Sequence, residues 1–242
     1  MLILNLGCGT KTSSSSSVVN IDWSIYLRLK RNLFWSAILP LFVRGERLKL
    51  FKEMPNNILA HNLAKGIPFK SNSVDAVYHS HMLEHLDKSV VDGFLLEVKR
   101  VLKPGGIHRI VVPDFEYLCK QYLDHLNQCC TDNNEQARHD DYIADIIEQC
   151  VRREPFGTSR QPPLRRFIEN LILGDARKRG ETHQWMYDRI NLTHALLKTG
   201  YHNVAVHRYD TSDIPDWNSF ALDIDDHGNQ YKPNSLYIEA VK

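Results

Sequence analysis

The chain has almost no net charge: thirty Lys and Arg oppose twenty-nine Asp and Glu for a formal +1, so the basic footprint of a general nucleic-acid binder is missing. Its five cysteines, Cys8, Cys119, Cys129, Cys130 and Cys150, form no C-x-x-C pair. An odd count of that kind argues against a disulfide framework and for a reducing compartment. No run of about 18 apolar residues offers a membrane span, and no basic stretch precedes the first apolar residues as a leader would require. There is no internal repeat. These absences together read as a cytoplasmic protein, and 43% apolar residues over 242 positions suffice for one globular domain with insertions.

What is present begins at the first residues, MLILNLGCGTKTSSSSSVVNID. Leu2, Ile3, Leu4 and Leu6 lead into Gly7-Cys8-Gly9, and Val18-Val19-Asn20-Ile21 ends on Asp22, the pattern of strand, glycine turn and second strand in a nucleotide-binding fold. Only Thr10 to Ser17 lie between. A parallel crossover through a full helix takes roughly a dozen residues or more, and five consecutive serines are poor helix formers; they read as a flexible loop. Dinucleotide binding would want G-x-G-x-x-G, a helix aimed at pyrophosphate and an acid about 20 residues on. Here Thr12 replaces the third glycine, the helix has no room and Asp22 comes early. S-adenosylmethionine carries no pyrophosphate, so a shortened crossover suits it better than a nicotinamide dinucleotide.

Further on, Ile25 to Lys52 mixes apolar and basic residues in one or two amphipathic helices broken at Pro40. This stretch reads first as a lid, and its Leu/Phe/Trp face flanked by Arg and Lys also fits weak peripheral membrane contact through residues 25–52. Asn57–His61 and Val74–His79 are predicted strands. Ser89–Leu102 carries apolar residues at helical spacing and stops at Lys103-Pro104-Gly105-Gly106, and Ile107 to Val112 supplies a strand ending at Pro113-Asp114. Residues 115–180 show no strand pattern and read as an inserted helical cap. Asp188–Lys198 is a predicted helix closed by Gly200, and Asn203–Arg208 with Ser235–Val241 would form an antiparallel pair at the sheet edge. Alternating strands and helices predict an α/β fold with a doubly wound, mainly parallel sheet. Its expected parts are a core at 1–114, the cap at 115–180, and completion of the sheet by 181–242.

LNLGCG, VNID, HNLAKGIPFKSNSVDAVYHSHMLEHL and EVKRVLKPGGIHRIVVPD, in that order and spacing, resemble the class I S-adenosylmethionine-dependent methyltransferases, with their Rossmann-like fold. The resemblance covers residues 2–114, with weaker likeness in GETHQWMYD and PNSLYIEAVK. It implies that backbone at Gly7, Cys8 and Gly9 lies against the methionine part of the cofactor, that Asp22 accepts from the ribose hydroxyls, and that Trp23 lies beside the adenine. Asn62 and Leu63 would meet the adenine amino group, Asn62 standing where the family often has Asp. Ser80 would approach the amino-acid end. Cys8 reads as a small packed residue and not a nucleophile.

Methyl transfer to a hydroxyl needs a base as well as alignment. His81, His85, Asp114 and His183 are the candidates, His183 first because it lies where the cap returns to the core. His81-Met82-Leu83-Glu84-His85 also spells H-x-x-E-H, which on a helix would set two histidines on one face as in an inverted zinc-peptidase motif; no metal is assigned to it. The expected function is S-adenosylmethionine-dependent methylation, at oxygen or nitrogen, of a small-molecule or saccharide acceptor. A non-catalytic scaffold and a nicotinamide oxidoreductase are the alternatives.

Overall fold

The computed structural model of the chain describes residues 1–32, 46–149 and 182–242. Seven strands form one sheet: β1 (Ile3–Leu6), β2 (Val18–Asp22), β3 (Ile58–Ala60), β4 (Val74–Ser80), β5 (Leu102–Pro113), β6 (His202–His207) and β7 (Ser235–Val241), in the order β3-β2-β1-β4-β5-β7-β6. β1 to β5 pair in parallel, and β7 runs antiparallel to both β5 and β6. The α/β, mainly parallel sheet expected from the pattern is what forms. The antiparallel pair forms at the sheet edge as expected, with β7 between β5 and β6, which leaves β6 as the outermost strand.

Alternation along the strands sorts the core into two layers. Leu4, Leu6, Val77, Ile110, Val112, Leu236 and Ile238 face helices α3 (Lys88–Val101) and α6 (Arg189–Lys198), which contribute Val91, Leu95, Val98, Leu192 and Leu196. Ile3, Ala76, Tyr78, Val111 and Tyr237 face the other way, onto Ile214, Trp217, Phe220 and Leu222 of the segment that joins β6 to β7. A one-residue slip in any strand would exchange these layers, so the register is strongly specified. α6 starts where the sequence places it: Asp188 accepts from the Ile190 and Asn191 amides while the Asn191 side chain accepts from the Asp188 amide, a reciprocal cap that satisfies donors at the helix N-terminus.

Between β1 and β2 there is no helix, as the spacing predicts. The serine loop is better fixed than its composition suggests. Asn20 accepts from the Asn5 side chain at 3.0 Å and from the Ser13 amide at 3.1 Å, and donates to the Ser13 carbonyl at 2.9 Å; Asn57 donates to that same carbonyl at 2.9 Å. Asn5, Ser13 and Asn20 are all buried, and buried amides that satisfy one another rigidify what they hold.

Of the amphipathic stretch, α1 (Ile25–Arg31) and α2 (Glu46–Glu53) are helical, and Pro40 lies outside the described residues. The expected cap is helical where described, with α4 (Phe115–Cys129) and α5 (His139–Gln149) joined by a short 3₁₀ stretch, Asn133–Arg138; residues 150–181 lie outside the description. No helix among the described residues is long and apolar enough to cross a membrane.

Candidate active site

The strand order reverses beside β1, whose neighbours β2 and β4 lead to opposite halves of the sheet. Open α/β sheets hold ligands at such a switch point, outside the carboxyl ends of the strands, and there the chain places Gly7-Cys8-Gly9. Gly7 has φ +61° and Gly9 φ +53°, a left-handed backbone that costs a side chain roughly 1–2 kcal/mol per residue. A Cβ on Gly7 would stand 2.7 Å from Met82 Sδ, whereas one on Gly9 would meet nothing within 4 Å. The turn is tied to β2 by its acid: Asp22 accepts from the Gly9 amide at 2.9 Å and from the Ser24 amide at 2.5 Å. Burial, with Asp22 second, pushes the Cys8 thiol far up, so Cys8 is packing and not a thiolate.

The remaining residues expected at a cofactor lie along the same edge. Asn62, just past β3, accepts from the Ala64 amide and caps the 3₁₀ turn that begins at Leu63. Trp23 is 43% exposed with Arg28 over its ring at 4.8 Å. Ser80 closes β4. S-adenosylmethionine fits this edge: open space stands over Gly9, and Asp22, though engaged by two amides, is a carboxylate with acceptor capacity to spare.

Beyond β4 the backbone makes a turn in place of the helical H-x-x-E-H. His81 adopts φ +50°, uncommon for a residue with a side chain, and a 3₁₀ turn over Leu83–His85 precedes α3. The histidines therefore do not share a helix face as the peptidase motif would require; they converge on Glu84. His81 Nδ1 lies 3.5 Å and His85 Nε2 3.9 Å from Glu84 Oε1. His81 Nε2 meets Ser235 Oγ at 2.8 Å, and His85 Nδ1 meets the Thr182 carbonyl at 3.2 Å. The His183 ring packs edge-on against that of His85, centroids 4.9 Å apart.

Glu84 is 1% exposed and neither carboxyl oxygen has a hydrogen-bond partner. Desolvation raises its pKa to about 8. The same burial, helped by neighbouring positive groups, lowers His81 to about 3 and His85 to about 4. At neutral pH the cluster is consequently uncharged: a carboxylic acid among imidazoles. Glu84, His183, Phe115, Trp185 and Tyr187 line a small cleft at the end of β5. Ligand atoms of Glu84, His85 and His183 also lie within 4.8 Å of one another, close enough to share a cation. Asp114 stands apart in role: it caps α4 by accepting from the Tyr117 amide at 3.3 Å, and burial raises its pKa.

The fold gathers His81, His85 and His183 around Glu84, and the sequence gives no sign that Glu84 would be the buried centre. The Tyr187 hydroxyl is also buried without a partner. Leu-Glu-His was visible as a motif; only the return of 182–187 across it, with the Gln184 and Trp185 amides donating to the Glu84 carbonyl at 2.6 and 3.3 Å, seals the acid from water.

Comparison with known proteins adds a family. Residues 43–110 match the family model described as a methyltransferase domain. No curated protein matches the chain. Among solved structures, a SAM-dependent methyltransferase from Archaeoglobus fulgidus aligns at 13% identity over 99% of this chain and 85% of that one, with a TM-score of 0.43. One from Mesorhizobium loti aligns at 14% identity over 100% and 90%, TM-score 0.42. The chain thus carries a match to a methyltransferase domain over residues 43–110, within a seven-stranded, mainly parallel sheet that has a glycine turn and an acid at its switch point.

Proposed function

We infer that the protein is a class I S-adenosylmethionine-dependent methyltransferase that moves the methyl group to an oxygen or nitrogen of a small-molecule or saccharide acceptor seated in the cleft at the end of β5. The observation that carries this is the unpartnered Glu84 carboxyl, 1% exposed and facing that cleft beside His183. A buried polar group without a partner costs about 1–3 kcal/mol, a cost an acceptor hydroxyl or amine would relieve on binding. Phe115, Trp185 and Tyr187 offer flat apolar walls for the carbon face of a small ring, with few polar groups fixing its orientation, as ligand clefts commonly do.

When bound, S-adenosylmethionine supplies a sulfonium methyl that transfers by in-line displacement. The chain's own part is to hold and align. Gly7, Cys8 and Gly9 present backbone to the methionine part, Asp22 accepts from the ribose hydroxyls, Trp23, Asn62 and Leu63 border the adenine, and Ser80 meets the amino-acid end. His183 takes the acceptor's proton as it is methylated; His81 and His85, neutral at the relevant pH, orient the acceptor with Glu84. Asp114 serves as a helix cap at the cleft mouth and not as the base. We assign no metal to Glu84, His85 and His183, so metal content is the same in Glu84→Gln as in the parent.

Calorimetric titration with S-adenosylhomocysteine and, separately, with NAD tests the cofactor site: the first binds and the second does not. An acceptor panel then tests the cleft. Turnover of hydroxylated or amino small molecules supports the reading, and methylation confined to protein or nucleic acid overturns it.

A further inference from the structure

The expected cap carries a second gathering of ligand atoms, on α4 and α5 and away from the cleft. His125 and Cys129 are one turn apart on α4, and α5 opens with His139. His125 Nδ1 stands 3.6 Å from Cys129 Sγ and 3.1 Å from His139 Nδ1, and the three ligand atoms lie within 4.8 Å of one another. A tetrahedral zinc ion, with bonds of about 2.0–2.1 Å to nitrogen and 2.3 Å to sulfur, holds such atoms about 3.4 Å (N to N) and 3.6 Å (N to S) apart. The two distances from His125 are close to those of a coordination shell.

The surroundings are those a ligating histidine has. His125 is 1% exposed, and its other ring nitrogen, Nε2, meets Glu135 Oε2 at 3.4 Å. A carboxylate behind a histidine fixes the tautomer and leaves the opposite nitrogen with its lone pair forward. That lone pair faces Cys129 and His139. Tyr142 covers the His125 ring face to face, centroids 4.0 Å apart, and holds its orientation.

We propose that His125, Cys129 and His139 bind one zinc-like divalent cation that clasps α4 to α5, with Glu135 as the carboxylate orienting His125 and solvent at the fourth position. A thiolate with two imidazoles is a donor set for a borderline-soft ion and a poor one for magnesium or calcium. On binding, the Cys129 thiol proton is released to solvent, while the proton of neutral His139 moves from Nδ1 to Nε2, so both imidazoles ligate in the neutral form. The motif is His-x3-Cys-x9-His, and no paired cysteines announce it.

The test uses the full-length, tag-free protein titrated with Co²⁺, whose thiolate charge-transfer and tetrahedral visible bands report sulfur ligation directly; Zn²⁺ is then added in competition. One equivalent of Co²⁺ develops both bands and Zn²⁺ erases them. Cys129→Ser abolishes the charge-transfer band and His139→Ala weakens binding at least 100-fold, while Cys130→Ser, one residue along, changes neither. Glu84, His85 and His183 contain no sulfur and cannot give the charge-transfer band, so the readout is independent of the proposed acceptor cleft. His125 is buried, and its substitution is left out because misfolding would mimic loss of metal. Absence of the bands in the parent, or their survival in Cys129→Ser, overturns the proposal and leaves a hydrogen-bonded packing cluster.

Discussion

Two buried acid clusters sit on one sheet and are treated in opposite ways. At the β5–β7 pairing, Arg109 is fully buried and donates to Asp223 at 2.7 Å, to Glu239, and to the Thr211 and Arg208 carbonyls at 2.9 and 3.0 Å. Asp223 also receives Tyr78 Oη at 2.6 Å and Trp217 Nε1 at 2.9 Å, and Glu239 receives the Asp213 amide at 2.8 Å. Every charge there is met. At the end of β4, Glu84 is just as deep and has no hydrogen bond to either oxygen. The first cluster fastens the 209–225 segment to the sheet; the second is an acid kept protonated by burial in the wall of the cleft. Depth alone therefore does not mark a functional acid.

The largest way to break this contrast is to unpair the satisfied cluster. Arg109→Met leaves two buried carboxylates without their cation, and removal of one member of a buried pair costs about 3–5 kcal/mol; urea unfolding of the parent and variant measures it. Next comes the cleft. His183→Ala is expected to keep S-adenosylhomocysteine affinity and to lower turnover roughly 10²-fold, the scale of losing a general base, once an acceptor is in hand. Unchanged turnover would reduce His183 to packing.

Asp22 stands between the extremes, a buried acid met by two backbone amides. Asp22→Ala is expected to weaken S-adenosylhomocysteine by about 1–3 kcal/mol in calorimetry, and Gly7→Val to do more, since its Cβ would press on Met82 and its φ would be strained. Equal binding by both variants would remove this edge as the cofactor site.

The smallest effect sharpens the comparison most directly. Glu84 has its folded pKa raised to about 8 from 4.5, so between those values the folded protein holds a proton that the unfolded chain has lost. Its contribution to stability is complete at low pH and is lost as pH rises toward 8, at a slope of at most about 1.4 kcal/mol per pH unit. His81 and His85, with pKa values lowered from 6.5, act in the opposite sense below 6.5, so the window from 6.5 to 8 isolates Glu84. Glu84→Gln is expected to flatten the decline there, and chemical denaturation at matched pH values reads it; a decline as steep as the parent's would assign the proton elsewhere.

Much of this molecule is written locally. The glycine turn, the missing helix before β2, the apolar spacing of α3 and the Asp188 cap of α6 depend on residues within a few positions of one another, so short-range sterics and hydrogen bonding declare them in the sequence. The serine loop looked flexible because its anchors, Asn5, Asn20 and Asn57, lie outside it, and composition cannot show which side chains the fold brings to a loop. β7 between β5 and β6 was hidden for the same reason: strand order depends on which edges meet. The chemistry divides along that line too. H-x-x-E-H was legible as letters, but a left-handed His81, a 3₁₀ turn and the passage of 182–187 over Glu84 decided that its acid would be buried, unpaired and protonated. Sequence determined which groups the protein owns; only the packing of distant segments, by excluding water and withholding partners, decided which of them would be left with something to do.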